Sequence, residues 1–369
     1  MRSTSTFSSQ YIESMRPIRR RFCSCVARWG RFLVVGGLLA VLLGPGPAAA
    51  QEVGAGAFSR LGFDARGIAM GNALVATASA DVSPYYNPAL LPQASGQRVA
   101  GSAALLAYDR QLQSLEFTTP LGPTAGVGLG LIHAGVGNID GRDANGVHTE
   151  TLSTDEFSLS LSFGNRFAER LAVGASLSLY QSDVVPDAGP VRGFGVDLGV
   201  AYRVSSRLQV AGAVTDLLAK YDWSTGAVGG ASRTDRFPVR ARLGGSYEWR
   251  DGRLRVVGEV EARFVGRDRQ VPSGVTTTST GPRQETRTKS VLRRGLRGRV
   301  GAAYRPVEIL TLRAGVDRIG VRGGDGLRPA AGFGLRQQVG ELDLRLSYAA
   351  ALEPNVRTLM NVGSLEIFL

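Results

Sequence analysis

The sequence predicts an all-β protein: a 14-stranded antiparallel transmembrane β-barrel with an N-terminal hatch in its lumen. Three observations lead there. Residues 1–50 have the layout of an export signal, and no apolar run long enough for a spanning helix follows them. After residue 95, apolar and polar residues alternate in segments of roughly ten, separated by turns, which is the pattern of a membrane barrel.

In chain order, residues 1–50 come first as a cleaved signal peptide. Arg16, Arg19, Arg20, Arg21, Arg28 and Arg31 form a basic region, residues 32–43 an apolar run, and Ala48-Ala49-Ala50 a small-residue cleavage site. Met15 is an alternative start to Met1. Export places the body in the envelope of a two-membrane bacterium, with the bacterial cell outer membrane as its destination.

Residues 51–95 are expected to form the hatch, and 96–369 the barrel. The stretch 58–91 lacks alternation and is rich in small side chains, with a short helix over 65–73 and a turn at Asn87-Pro88. It suits a plug folded against the lumen wall; a periplasmic tail is the competing reading.

The strands are predicted over 97–108, 110–120, 124–137, 153–166, 170–182, 192–204, 207–219, 238–250, 253–265, 295–306, 309–319, 328–338, 341–351 and 356–368. Phe157, Leu159, Leu161 and Phe163 against Ser158, Ser160 and Ser162 show the period most plainly. A soluble β-sandwich would also alternate, but its strands are usually about 5–6 residues long. Tight turns fall near 120–123, 167–169, 205–206, 251–252, 307–308 and 339–340, and long loops over 138–152, 220–237 and 266–294. Short turns belong on the periplasmic side, and an even strand count puts both termini there. Tyr221 and Trp223 near a loop, with Tyr247 and Trp249 near a turn, read as aromatic girdles.

Charged residues occupy the face opposite the apolar series: Arg240, Arg242, Glu248, Arg255, Glu259, Glu261 and Arg263, then Asp197, Arg299, Arg313, Asp317, Arg336, Asp343 and Arg345. An Arg facing lipid at the midplane costs about 2–4 kcal/mol, so these side chains belong inside. If Asp251-Gly252 closes the hairpin 238–265, facing residues sum to 503, pairing Glu248 with Arg255 and Arg242 with Glu261. Such pairs read as a structural lattice of lumen ion pairs (Arg242, Glu248, Arg255, Glu259, Glu261, Arg263) or as a solute-lining surface.

Composition excludes several classes. Both cysteines, Cys23 and Cys25, lie in 1–50, so the body has no disulfide, zinc–thiolate site or cysteine nucleophile. His133 and His148 are the only histidines, and no catalytic residue, metal or cofactor is expected; the chain is not read as an enzyme. Of 43 Lys+Arg and 31 Asp+Glu, residues 1–50 hold seven Arg and one Glu, and the remaining net charge of +6 gives no argument for nucleic acid. Gly126, Gly128 and Gly130 mimic part of a dinucleotide fingerprint, but they sit in an alternating strand. The basic segment 266–299, broken only by the acids Asp268 and Glu285, could meet lipopolysaccharide phosphates or simply be solvated.

The spaced residues Arg66, Met70, Gly71, Ala73, Asp81, Asn87, Pro88 and Ala89 resemble the N-terminal signature of the FadL-like outer-membrane barrels, especially those of PorV/PorQ type. The likeness continues at 193–204, 214–226, 238–249 and 298–317. It implies a 14-stranded barrel with a hatch, in contact with outer-membrane lipids and lipopolysaccharide. Two functions stand open. PorV-type relatives assist type IX secretion, binding cargo with C-terminal signal domains beside a secretion translocon. FadL relatives pass long-chain fatty acids and other hydrophobic compounds. The Arg/Glu-lined lumen and the later segments favour the first.

Overall fold

The computed structural model describes residues 55–369, except 78–80, 82, 185–188, 226–230, 250–251, 279–280, 321–325, 354–355 and 357. The expected signal peptide therefore lies outside the described residues. Among those described, no helix is long and apolar enough to cross a membrane.

Among the described residues sixteen strands follow one another: β1 (Arg98–Leu105), β2 (Arg110–Leu121), β3 (Ala125–Arg142), β4 (His148–Ala168), β5 (Leu171–Asp183), β6 (Val191–Arg203), β7 (Leu208–Leu217), β8 (Lys220–Thr225), β9 (Ala231–Arg236), β10 (Val239–Trp249), β11 (Leu254–Thr278), β12 (Gly281–Tyr304), β13 (Leu310–Ile319), β14 (Arg328–Val339), β15 (Leu342–Glu353) and β16 (Thr358–Phe368). Fourteen close a barrel in sequence order, with β7 pairing directly to β10 and β16 returning to β1; β8 and β9 form a separate hairpin. Every pairing is antiparallel, so closure leaves no sheet edge to expose backbone groups to lipid.

Side-chain alternation decides which face is which. Leu159, Leu161, Phe163, Leu177, Leu179, Leu198 and Val200 are exposed on the outside, whereas Ser158, Ser162, Ser176 and Ser178 are buried inside. Arg98 pairs with Phe368 beside the short turn that joins β2 to β3, so both barrel ends of the chain sit at the short-turn rim. The hairpin β10–β11 has the register that facing residues summing to 503 require: Glu248 opposite Arg255, Arg242 opposite Glu261 and Arg240 opposite Arg263. Asp251, the first residue of the expected Asp251-Gly252 turn, lies outside the described residues.

The three long loops differ from expectation. Residues 138–152 continue β3 and β4 as far as Arg142 and His148, and 266–294 are almost wholly strand in β11 and β12. Residues 220–237 hold the β8–β9 hairpin. In 138–152 alternation ends because the side chains on both faces of the extended β3 and β4 are largely exposed, while backbone pairing continues. Tyr221 is also no girdle residue: it is buried, packed edge-on to Phe237 at 5.0 Å. Tyr247 and Trp249 do lie together by a short turn, with Trp249 exposed.

Residues 55–94 run inside the barrel. A 3-10 turn (Ala57–Arg60) precedes the short helix α1 (Ala65–Ala69), and a second 3-10 turn (Pro88–Gln93) leads to β1. Asp64 caps α1 by accepting from the Gly67 amide, and Gly71 and Asn72, both left-handed, end it. The helix packs against β13 to β16 and the second 3-10 turn against β2 to β6, so the segment meets most of the wall.

Candidate functional site

The filled lumen is the candidate site, and its chemistry comes from inward positions of the wall meeting residues 55–94. Glu259 and Glu261, neighbours on the inner face of β11, are fully buried. Arg299 on β12 reaches Glu259 at 2.5 Å, Glu261 at 2.8 Å and Asp317 of β13 at 2.8 Å. Arg263 and Arg297 add contacts to Glu261 at 3.2 and 3.6 Å. A buried carboxylate is tolerated only when paired and hydrogen-bonded, and each of these has several donors.

The lattice also holds the N-terminal segment. The Val75 amide donates to Glu259 at 3.2 Å, and Arg242 donates to the Tyr86 carbonyl. Here the pairing read from register needs correction. Arg242 and Glu261 are backbone partners, yet the carboxylate near Arg242 is Glu259, at 3.7 Å, because Glu261 is taken up by Arg299, Arg263 and Arg297. Glu248 and Arg255 are opposite one another and form an ion pair.

The motif residues sit at the contacts between segment and wall. Asn87 is fully buried: its Oδ1 accepts from the Ala89 amide at 2.9 Å, and its Nδ2 donates to the Val75 carbonyl at 2.9 Å and to Val200 and Gly212 carbonyls at 3.3 Å. Pro88 and Ala89 press so closely on β5 that a Cβ at Gly174 would fall 2.4 Å from the Pro88 carbonyl carbon. On the opposite wall, Met70 and Gly71 lie over Gly301 and Gly315, again with no room for a Cβ. Ala73 is buried in a cluster with Met70, Leu74 and Tyr86.

Asp81 bridges segment and wall: Arg66 lies 3.4 Å from its carboxylate and also donates to its carbonyl, and Arg345 of β15 pairs with it directly. Burial alone would push this carboxyl up, but the Arg66 and Arg345 guanidiniums outweigh it and hold it well below the ordinary carboxylate range.

The lumen is divided in polarity. Toward the long-hairpin rim, Leu112, Ile132, Tyr180, Val191, Tyr221, Phe237, Met360 and Val362 form one apolar cluster with Phe58 and Phe63 of the segment. Toward the short-turn rim lies a cavity of about 420 Å³ with seven arginines in its lining. Sequence reasoning did not single out Arg98 and Glu116, which pair at 2.6 Å while Ser83 donates to Glu116. The signal was present, since Glu116 stands between the outward Leu115 and Phe117.

No protein-family model and no curated protein matches the chain. Solved structures do. The Pseudomonas putida toluene transporter TodX aligns over 83% of this chain and 96% of its own, with TM-score 0.54 and 14% identity. The CymD monoaromatic hydrocarbon channel covers 83% and 97% at TM-score 0.55 and 16% identity. A Pseudomonas aeruginosa FadL homologue covers the same shares at 0.54 and 14%. The chain has the fold of the FadL-like outer-membrane barrels. That fold, with its closed strand ring and apolar exterior, places the protein in the bacterial outer membrane.

Proposed function

We propose that the protein is a hatch-gated channel for small hydrophobic molecules, with 51–95 as the hatch, 96–369 as the channel wall and 1–50 as the cleaved export signal. One observation carries this reading. The apolar cluster at the long-hairpin rim is formed jointly by the wall and by Phe58 and Phe63 of the segment, so an apolar basin is stoppered by residues that belong to no strand. Withdrawing those two rings would open apolar surface suited to an uncharged guest. The similar solved structures include a toluene transporter and a monoaromatic hydrocarbon channel, which agrees with that guest class.

The PorV/PorQ-type role, binding type IX cargo and its translocon, is a second reading. The long β11–β12 hairpin favours it: at 25 and 24 residues these strands far exceed the roughly 9–11 that cross a bilayer, and so offer a protein-binding surface outside it.

Purified protein in liposomes tests the two. Saturable uptake of toluene or a long-chain fatty acid is the expected result. Absence of uptake, with C-terminal-signal cargo stranded in the periplasm of a deletion strain, would overturn the channel in favour of the secretion role.

A further inference from the structure

The ion lattice and the apolar basin leave one large feature unused: the 420 Å³ cavity at the short-turn rim, between the N-terminal segment and β10 to β15. Its charges do not balance. Seven arginines line it against Asp81, Glu248 and Glu308. Asp81 is engaged by Arg66 and Arg345, and Glu248 by Arg255. Among the described residues Arg313 has no carboxylate partner; it donates only to the Ser347 hydroxyl, at 3.2 Å. Arg305 likewise has none, and it also lines a second cavity of about 460 Å³ at the mouth. Asp343, just outside the lining, pairs with Arg336 and Arg345, so among the described residues the cavity's uncompensated positive charge lies at Arg253, Arg305 and Arg313 against Glu308.

A pocket walled by protein focuses such a field and concentrates anions. Guanidinium forks match the planar geometry of oxyanions, and a volume near 420 Å³ falls within the roughly 300–1,000 Å³ of small-molecule sites. We propose that this chamber is a binding site for a soluble organic polyanion. The charge lies in two places, Arg313 on the inner wall and Arg305 at the mouth, so the solute that fits best carries at least two oxyanion groups. This site is separate from the apolar basin, and its occupancy does not depend on the channel reading.

Titration of the purified barrel with citrate, acetate and chloride at equal ionic strength tests it. Citrate should bind saturably and at least about tenfold more tightly than acetate, since it gains a second charge-assisted contact. Arg313→Gln and Arg305→Gln should each weaken citrate by about tenfold or more on the same basis. Arg192→Gln, at an exposed position on the opposite rim, should leave it unchanged. Arg305 is exposed, so its variant tests the mouth without disturbing assembly. Citrate binding no stronger than that of chloride, or full binding by both Arg313→Gln and Arg305→Gln in assembled barrels, would overturn the proposal.

Discussion

Four hydrogen bonds converge on the side-chain amide of Asn87, tying the second 3-10 turn to Val75 on one side and to β6 and β7 on the other. Asn87→Ala removes an N-cap, typically worth about 1 kcal/mol, and leaves the buried Val75 carbonyl without its donor, a further ~1–3 kcal/mol. The wall strands keep all their ladder bonds. The variant should therefore still assemble as a heat-modifiable barrel, while residues 55–94 become more open to hydrogen exchange. Unchanged protection there would show that Asn87 does not hold the segment. Asp81 makes a different claim, about pH. Its carboxyl is depressed in the folded state, so its contribution is present above the usual value of 3.8 and is lost only as pH falls below that, through the folded value. Segment protection should accordingly stay flat from pH 8 to about 5 in wild type, and in Asp81→Asn it should be lower than wild type by the same amount at every pH in that range. Sequence placed Asn87 and Asp81 in a motif, but the partner Arg345 lies far along the chain, and nothing local joins them.

At the scale of elements, every barrel strand was legible because lipid on one face and lumen on the other force a period of two. Where that asymmetry ends, the signal ends. β11 continues well past Val265 and β12 begins far before Gly295, yet neither extension alternates. The hub at Arg299 was hidden for another reason: position fixes which face a side chain takes, but not which of several nearby carboxylates it will reach. A consequence for the extended hairpin can be measured. Replacing 268–290 with an Asn-Gly turn would join Arg267 to Val291, which are already backbone partners. The shortened protein should keep the heat-dependent gel shift of the intact barrel and its lattice at Glu259 and Glu261. Failure of the shortened chain to assemble would mean that the outer hairpin is needed for barrel closure.

For the whole molecule, fourteen strands and their connection lengths make a statement about orientation. The connections differ in kind at the two rims: Leu121 to Ala125, Ala168 to Leu171 and Val339 to Leu342, each from an even to an odd strand, are short, whereas the opposite rim carries the long β3–β4 and β11–β12 hairpins and the β8–β9 insert. Barrels of this class keep short turns in the periplasm. Orientation can be read directly, because both cysteines lie in 1–50 and the barrel has none of its own. Asn145, in the β3–β4 turn, and Glu341, in the β14–β15 turn, are both exposed, so a thiol at either place is accessible from its own side. In intact cells Asn145→Cys should react with a membrane-impermeant maleimide and Glu341→Cys should not, until the outer membrane is permeabilised. The reverse pattern would invert the barrel, turning the apolar cluster of the long-hairpin rim toward the periplasm and the arginine-lined cavity of the short-turn rim toward the cell exterior.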